Sequence, residues 1–474
     1  MNVFRENLWI LLFCSVLHAQ EQWSLASCID HAIKNNVSLQ QTKLTVDLAA
    51  INVVESKHKR LPDLGGSLGG GINFGRGIDP TTNSFTTENI VYTNYSLSSG
   101  VVLFQAGFVR NSIKQTKLDY QASEKELQQA QNDLGLAIAT YYLNVLLSQE
   151  RLDIASKTVE SVKLQLVQIQ KLIQNGMKPE ADAIEIKSQL ARAEQSFVVA
   201  ENSLNLAWLS LKQAMRLDPA GIISLEKLTQ EQLNSIQLNS YTYETLYENA
   251  SKTLPGLIAS KIRLKSAIVG EKLARAIYFP SIYLSGSIGS RFSNAAIRPA
   301  EYALSKVLVP GVFIDGNPAK FEQEYLLVKS TEVVPFATQF DQFLGYGAGL
   351  TINIPIYKNY ATKANVQRAK LTTKQNELRV QIEEENLNQN IYQAIANVSA
   401  ARKEFEASQK AYDASKSSYE KTQKRFDIGA ANTFELNQTQ TNMQNAETAL
   451  IISKYDLVFK QKVLDYYAGK QIRL

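Results

Sequence analysis

Two segments of the sequence resemble each other at a constant separation. Residues 172–197 read LIQNGMKPEADAIEIKSQLARAEQSF, and residues 425–450 read RFDIGAANTFELNQTQTNMQNAETAL. The matched positions, all at an offset of 253 in residue number, are Gly176 and Gly429, Asp182 and Glu435, and Ala193-Glu194 and Ala446-Glu447. The same offset relates Val102-Leu103-Phe104 to Pro355-Ile356-Tyr357. A fixed offset over such a length predicts a chain built by internal duplication.

Nearer to the start of each half, the offset changes. It is 218 for Ala32 and Ala250, for Leu39 and Leu257, and for Pro62 and Pro280. The second half therefore carries 35 additional residues, the difference between the two offsets, and they lie within 291–345. Because Gly, Pro and Asn interrupt this stretch, we expect it to be a loop.

Most of each half has the composition and spacing of helices. Residues 105–175 and 358–428 lack proline and are rich in Ala, Leu, Gln, Lys and Glu, which predicts two helices of roughly 108 Å at ~1.5 Å per residue. Shorter helices are predicted at 23–60, 180–216, 241–279 and 433–467. The first structural repeat then spans 20–240, with an equatorial segment at 217–240, and the second spans 241–474.

Four segments change from helical spacing to alternation of apolar with small or polar residues. They are 64–74, 91–103, 282–292 and 344–356, each about as long as a tilted strand that crosses a bilayer. Amphipathic strands on a soluble core are the alternative. Four strands cannot close a barrel, and lipid does not tolerate open sheet edges. The pattern therefore predicts that several copies share one barrel.

The N-terminus and the composition bear on where the protein is located and on which classes of function are expected. Residues 1–19 have Arg5, an apolar run and a terminal Ala19, which predicts a secretory signal peptide; a short buried helix is the alternative. Cys28 would then be the single mature cysteine, so no intrachain disulfide is expected. The net charge of +5 is spread along the chain, which does not indicate nucleic-acid binding. Isolated histidines predict no metal site, no cofactor and no enzyme.

Further motifs occur in a fixed order along the mature chain. They are WSLASCIDHAIKNNVSL at 23–39, GRGIDPTTNSF at 75–85, the segments LFQAG and PIYKN, both glycine turns, and LDYYAGKQI at 464–472. In order and spacing these motifs resemble the TolC-like outer-membrane efflux proteins, and GRGIDPTTNSF is similar to members from Bacteroidetes-type bacteria. The resemblance covers essentially the whole mature chain.

The resemblance implies a mainly α protein with a transmembrane β part, in which three copies share a 12-stranded β-barrel and an α-barrel of long helical hairpins. It implies a location in the outer membrane of a Gram-negative bacterium, with a long periplasmic extension. The implied function is a passive exit duct of a tripartite efflux or type I secretion system. Its implied partners are outer-membrane lipid, a periplasmic adaptor and an inner-membrane pump of RND or ABC type. A secreted, non-transporting coiled-coil assembly is the alternative.

The resemblance also implies roles at a periplasmic tip. The turn residues Gly176, Met177, Gly429 and Ala430 would contact the adaptor, and the residues near the gate would be Asp182, Glu435, Gln438 and Arg425. Gln438 stands where the family has a second acidic residue. From the residues alone, local roles are the alternative, and Arg425 would then be a solvated helix end. Asn432-Thr433-Phe434-Glu435 reads as a capping box, Asp182 sits at a helix start, and glycine suits a helix end.

Overall fold

The computed structural model describes residues 22–78, 83–87, 89–226, 241–311, 313–318 and 320–470. The predicted signal peptide lies outside the described residues, as do 227–240 of the predicted equatorial segment and the last four residues of the C-terminal tail. By internal contacts the chain divides into two units. The first comprises Met1–Ala50, Leu118–Lys265 and Lys374–Leu474, and the second comprises Ile51–Lys117 and Ser266–Thr373.

Within the described residues, helices of similar length occur in both halves of the chain, and the short helix Phe336–Gln342 has no counterpart in the first half. The helices are α1 (Leu25–Asn35), α2 (Val37–His58), α3 (Phe108–Gln174), α4 (Glu180–Met215), α5 (Tyr243–Thr253), α6 (Pro255–Ala276), α7 (Phe336–Gln342), α8 (Ala361–Asp427) and α9 (Thr433–Tyr467). Helices α3 and α8 each have 67 residues, which corresponds to about 100 Å. Among the helices of the described residues, none has the length and apolar composition needed to cross a bilayer.

The helices predicted at 23–60 and 241–279 are each two helices, so these two predictions are wrong. In the first, Asn36 has an extended backbone and its side-chain Oδ1 accepts a hydrogen bond from the N–H of Leu39, which starts α2. In the second, Leu254 is extended and precedes Pro255. Proline disfavours helical geometry at the residue before it but suits the first position of a new helix.

Four long strands form one antiparallel sheet in the second unit. They are β2 (Asp63–Asn73), β5 (Ile90–Phe104), β7 (Ser281–Ser293) and β12 (Gly345–Asn353), in the spatial order β12-β7-β5-β2. The remaining pairs are β1 (Gln22–Trp23) with β6 (Ser224–Leu225), β3 (Gly77–Ile78) with β4 (Phe85–Thr86), β8 (Ile297–Val309) with β11 (Phe321–Val333), and β9 (Phe313–Ile314) with β10 (Asn317–Pro318). Within the described residues, no strand pairs with the outer edge of β2 or of β12.

The register gives this sheet two contrasting faces. Leu68 lies opposite Tyr95, which lies opposite Ser290, and Leu97 lies opposite Ile288. What we call the apolar face also carries Leu64, Ile72, Val91, Val101, Leu284, Phe292, Tyr346, Leu350 and Ile352. The opposite face, called the polar face, carries Ser67, Asn94, Ser96, Ser98, Ser285, Ser287, Arg291, Thr351 and six glycines of β2 and β12. Large apolar side chains such as Leu68 and Tyr346 remain exposed.

On the polar face, a tyrosine covers a glycine. A Cβ atom added at Gly100 would lie 1.6 Å from the hydroxyl oxygen of Tyr283, so a side chain at position 100 is incompatible with this ring position. Gly100 is buried, and its N–H donates a hydrogen bond of 2.6 Å to Oδ1 of Asp63 at the start of β2. The Tyr283–Gly100 contact therefore connects the two inner strands, and Asp63 adds an outer one.

The 35-residue insertion is not the loop predicted for 291–345. Strands β8 and β11, of 13 residues each, pair as a hairpin, and helix α7 follows it. At the end of the hairpin, Asp315 and Gly316 have φ of +49° and +80° between β9 and β10. Asp-Gly with positive φ at both residues is a preferred two-residue hairpin turn. This dipeptide was visible in the sequence and should have predicted a hairpin.

The first unit contains three separate apolar clusters. One surrounds Cys28 and Tyr142, and a second surrounds Leu246 and Ile391. These two clusters use positions that the predicted internal duplication would make equivalent, Cys28 with Leu246, Ala32 with Ala250, Ile138 with Ile391, and Leu211 with Leu464. The third cluster packs the two glycine turns and is described below. Within the described residues, no group of three or more His, Cys, Asp or Glu side chains could hold a metal ion.

Candidate functional site

Both long helices end in the same turn geometry. Gly176 and Gly429 have φ of +69° and +76°. In each turn the glycine N–H donates to the carbonyl three residues earlier, and the next N–H donates to the carbonyl five residues earlier, from Met177 to Leu172 at 2.8 Å and from Ala430 to Arg425 at 2.7 Å. This is the Schellman arrangement, in which a glycine in the left-handed region closes a helix. We call residues 175–179 and 428–432 the paired turns.

The return helices start differently after the two turns. At α9, Asn432 is the N-cap, and its Oδ1 accepts a hydrogen bond of 2.8 Å from the N–H of Glu435. The carboxylate of Glu435 does not complete the predicted capping box, because it pairs with Arg425 at 2.7 Å. At α4 the N-cap is Pro179, which has no side chain that can cap. Only half of the capping box is therefore formed.

Contacts within the first unit hold the two turns side by side. The hydroxyl of Thr433 donates to Oδ2 of Asp182 at 3.4 Å, which joins the start of α9 to the start of α4. Lys178 in the first turn also reaches the second hairpin, with its Nζ 3.7 Å from Asp182 and 5.5 Å from the centre of the Phe426 ring. Beneath them lies the third apolar cluster, formed by Val162, Ile169, Ile186, Phe426, Ala431 and Leu436. Asp182 thus links the two hairpins directly.

Behind the turns, helices α3 and α9 meet through buried amides. Gln440 is buried; its Nε2 donates to Oγ of Ser161 at 3.0 Å, and its Oε1 accepts from Nε2 of Gln165 at 2.7 Å. One turn earlier on α9, Asn437 is also buried, and neither atom of its amide has a hydrogen-bond partner. An unpaired buried polar group costs about 1–3 kcal/mol. Asn437 carries this cost, whereas both amide atoms of Gln440 are hydrogen-bonded.

The charged contacts at the paired turns are partly open to water. The side chains of Arg425 and Glu435 are 53% and 38% exposed, and ion pairs of this kind contribute at most about 1 kcal/mol. Arg425 also donates through Nη2 to the carbonyl of Ala430 at 3.1 Å. Arg425 therefore fixes the second turn from two sides without a large gain in stability.

Apolar side chains stand exposed around the paired turns. Met177 is 69% exposed, Ile428 is 80% exposed and Phe434 is 70% exposed. Exposed apolar side chains with polar residues around them are typical of a surface that binds another protein. Ile428 and Phe434 were not predicted, although each directly adjoins a predicted residue.

The predicted site residues differ in the partners that the structure gives them. Arg425 pairs with Glu435, and Asp182 reaches the second hairpin through Thr433. Gln438 donates only along its own helix, to Asn442 at 3.1 Å. The contacts of Thr433, Lys178 and Gln440 between the hairpins were not predicted. A polar residue at a helical spacing that otherwise buries apolar side chains was the available signal for Gln440.

Known proteins are similar to this chain over most of its length. The family model described as outer membrane efflux protein matches residues 28–215 and 246–470. The outer membrane efflux protein BepC of Brucella suis is 22% identical over 465 residues, which cover 97% of this chain and 89% of BepC. The outer membrane protein TolC of Escherichia coli is 21% identical over 197 residues, which cover 40% of this chain and 39% of TolC.

Solved structures match over nearly the full length. CusC superposes with a TM-score of 0.75 at 16% identity, covering 95% of this chain and 93% of CusC. The outer membrane channel MtrE of Neisseria gonorrhoeae gives a TM-score of 0.72 at 18% identity, covering 95% of this chain and 90% of MtrE. At 16–18% identity, this structural similarity shows the fold alone.

Proposed function

Because the chain belongs to the outer membrane efflux protein family, we propose that it forms the exit duct of a tripartite efflux or type I secretion system. It is an outer membrane protein and not an enzyme. In our proposal it conducts passively across the periplasm and the outer membrane, and an adaptor and an inner-membrane pump open it. The observation that carries the proposal is that one chain combines a two-faced sheet with two helix turns held side by side.

The sheet supports assembly as a homotrimer. Its outer strands β2 and β12 each leave one edge unpaired within the described residues. Unpaired N–H and C=O groups cost several kcal/mol each in hydrocarbon, so a sheet in a bilayer must close on itself. Three copies would bring 12 strands into one barrel, with the apolar face toward lipid and the polar face toward the lumen.

The helix boundaries support the proposed duplication. Helices α1 and α2 correspond to α5 and α6 at an offset of 218 at both ends of each helix, and α3 corresponds to α8 at an offset of 253. Two similar hairpins per chain would give a trimer six similar hairpins. That number suits the wall of an α-barrel in which two kinds of turn alternate around the end.

The paired turns support a gate with an adaptor surface. Under threefold symmetry, Asp182 and Glu435 would each form a ring of carboxylates, which attracts cations and repels itself. Thr433, Lys178 and Arg425 hold these carboxylates and would keep the end closed. Met177, Ile428 and Phe434 are exposed, and we assign them, with Gly176, Gly429 and Ala430, to the adaptor contact.

Planar-bilayer recordings test this function. The purified protein should migrate as a heat-modifiable trimer and conduct weakly, and the variant Asp182→Ala with Glu435→Ala should conduct severalfold more. The matched control Glu404→Ala changes an exposed carboxylate within the long helix α8 and should leave conductance unchanged. A soluble monomer without conductance would reject the proposed function. An unchanged conductance in the double variant would reject the gate.

A further inference from the structure

Helix α7 packs against the apolar face of the sheet. The rings of Phe336 and Phe340 both lie 5.8 Å from the ring of Tyr95, centre to centre, and Phe336 lies 5.8 Å from Phe292. Oγ of Ser290 donates a hydrogen bond of 2.7 Å to the carbonyl of Phe340. Tyr95, Ser290 and Phe292 all belong to the apolar face. The helix is therefore attached to the side of the sheet that carries the exposed leucines and isoleucines.

A buried glutamine fixes the base of this helix. Gln339 is fully buried; its Oε1 accepts from the N–H of Ser293 at 2.9 Å, and its Nε2 donates to the carbonyls of Ser293 and Val334, both at 2.8 Å. The side-chain amide of Gln339 thus connects α7 to Ser293 at the end of β7 and to Val334. The helix is a fixed part of the sheet surface and has a defined position over the strands.

Between α7 and the sheet runs a groove of about 630 Å³. Its sides are formed mainly by Gly66, Leu68, Leu97, Ile288, Phe340 and Leu344. The volume lies within the ~300–1,000 Å³ of small-molecule sites. Gly66 leaves room in the groove, since a Cβ atom there would meet Leu97 and Ser96 only at ordinary contact distances of 3.8 and 3.9 Å.

We propose that this groove binds an acyl chain of an outer-membrane lipid. The chain is an outer membrane protein, and the groove lies on the face whose exposed large apolar side chains require a hydrocarbon environment. The groove floor centres on Tyr95–Leu97 and Ile288–Ser290 of the inner strands β5 and β7. A second copy of the chain would join at the outer edges of the sheet. Lipid is therefore the partner that reaches the groove.

Quenching by brominated lipid tests whether the groove is in contact with acyl chains or with water. The variants Phe340→Trp and Ser98→Trp place a tryptophan beside the groove and on the polar face of the same sheet. Each is reconstituted into vesicles of phosphatidylcholine with plain or brominated acyl chains, and the emission of the parent protein is subtracted. Bromine should quench the tryptophan at position 340 at least threefold more than the tryptophan at position 98. Equal quenching, or none at position 340, would overturn the proposal.

Filling the groove tests binding as opposed to mere exposure to lipid. Gly66→Leu places a side chain in the groove, whereas the matched control Gly69→Leu lies on the polar face of the same strand with nothing within 4 Å of its Cβ position. Native mass spectrometry with added phosphatidylcholine should show Gly66→Leu retaining less than half of the lipid retained by the parent, and Gly69→Leu retaining all of it. Equal retention by parent and Gly66→Leu would overturn the proposal.

The same samples separate this inference from the proposed channel function. Phe340 and Gly66 lie outside the paired turns, so both variants should form trimers that conduct as the parent does. Normal conductance without lipid retention would overturn the lipid groove alone. Lipid retention without conductance in the parent would reject the channel function and leave the groove supported.

Discussion

Arg425 and Glu435 lie on the two arms of the second glycine turn, and Nη1 of Arg425 is 2.7 Å from Oε1 of Glu435. The arginine also bonds to the carbonyl of Ala430 within the turn. Glu435 was predicted as the acidic member of a capping box, and its position at the start of α9 is consistent with that. Its carboxylate instead pairs with Arg425 and so connects the two arms of the turn. A helix start and a proposed gate contact therefore share one residue.

Removing this pair should loosen the paired turns slightly. Arg425→Ala deletes both contacts, and because the pair is half-exposed we expect a loss of at most about 1 kcal/mol, with a conductance increase of up to roughly fivefold in planar bilayers. The exchange Arg425→Glu with Glu435→Arg should recover much of the closed state. Lys374→Ala, which breaks an exposed pair with Glu377 in α8, serves as control. A parental conductance in Arg425→Ala would contradict the assignment.

The contact between the two hairpins should be energetically coupled. Thr433 is buried and donates to Asp182, so Thr433→Val keeps the shape of the side chain but removes a hydrogen bond to a charged group, worth about 1.5–3 kcal/mol. Conductance of Thr433→Val, Asp182→Ala and the double variant forms a thermodynamic cycle. We predict that the double variant conducts like Asp182→Ala alone. Independent, multiplying effects would show that the two residues do not interact.

The turn glycines should resist substitution for backbone reasons. At φ of +69° and +76°, an alanine at Gly176 or Gly429 costs about 1–2 kcal/mol. Gly135 offers a matched control, because it lies inside α3 and a Cβ there would meet Ile29 at an ordinary 3.7 Å; Gly135→Ala should stabilise by up to about 1 kcal/mol. The midpoints of thermal unfolding should fall for Gly429→Ala and rise for Gly135→Ala. The same shift in both would contradict this explanation.

The tyrosine over Gly100 should control formation of the sheet. Gly100→Ala places its Cβ where the Tyr283 ring lies, so we expect the yield of heat-modifiable trimer to fall severalfold. Adding Tyr283→Ser should restore much of that yield, because the obstructing ring is gone. Gly349→Ala is the control on the same face, since its Cβ would meet only Oγ of Ser285 at 3.8 Å. Full assembly of Gly100→Ala would mean that the ring moves away freely.

The apolar cluster around Cys28 should make the protein sensitive to alkali. Burial raises the pKa of the Cys28 thiol to about 12 and that of Tyr455 to about 12, and it raises the pKa of Tyr142 as well. The unfolded chain releases these protons at ordinary values of about 8.5 for Cys and 10 for Tyr. The folded state therefore has their full stabilisation below about pH 8.5 and loses it as the pH rises toward 12.

Thermal unfolding measured between pH 7 and 11 checks this expectation. The midpoint should be steady up to about pH 8.5 and then fall. The variant Cys28→Ala should remove the part of the decline that begins first, because the tyrosines start to titrate only near pH 10. A midpoint that is constant to pH 11 would contradict the burial effect.

The long elements could be predicted because their signals repeat many times. Helices α3 and α8 lack proline over 67 residues, and the four sheet strands alternate strictly enough to fix their register. Short interruptions were harder to predict. The break at Leu254 follows from Pro255, but the break at Asn36 depends on one side-chain cap that many asparagines could form elsewhere. The hairpin at 297–333 was not predicted, because Pro299 and the glycines in this segment indicated a loop more strongly than the alternation of its residues indicated strands.

The candidate site could be predicted only where it is local. Gly176, Gly429 and the Asn432 cap each depend on a few neighbouring residues. The bond from Thr433 to Asp182 joins residues 251 positions apart, and no local pattern indicates it. The same holds for Gln440 with Ser161 and Gln165, and for the position of Phe340 over Tyr95. Tertiary packing decides these contacts.

Cross-linking between the sheet edges tests the shared barrel most directly. A single cysteine in β2, at Ser67, and another in β12, at Gly349, are introduced into a Cys28→Ala background and treated in native membranes with a bismaleimide. If copies close one barrel edge to edge, the double variant gives a covalent trimer on a denaturing gel, and each single variant remains monomeric. A folded, conducting protein whose double variant stays monomeric would contradict the account.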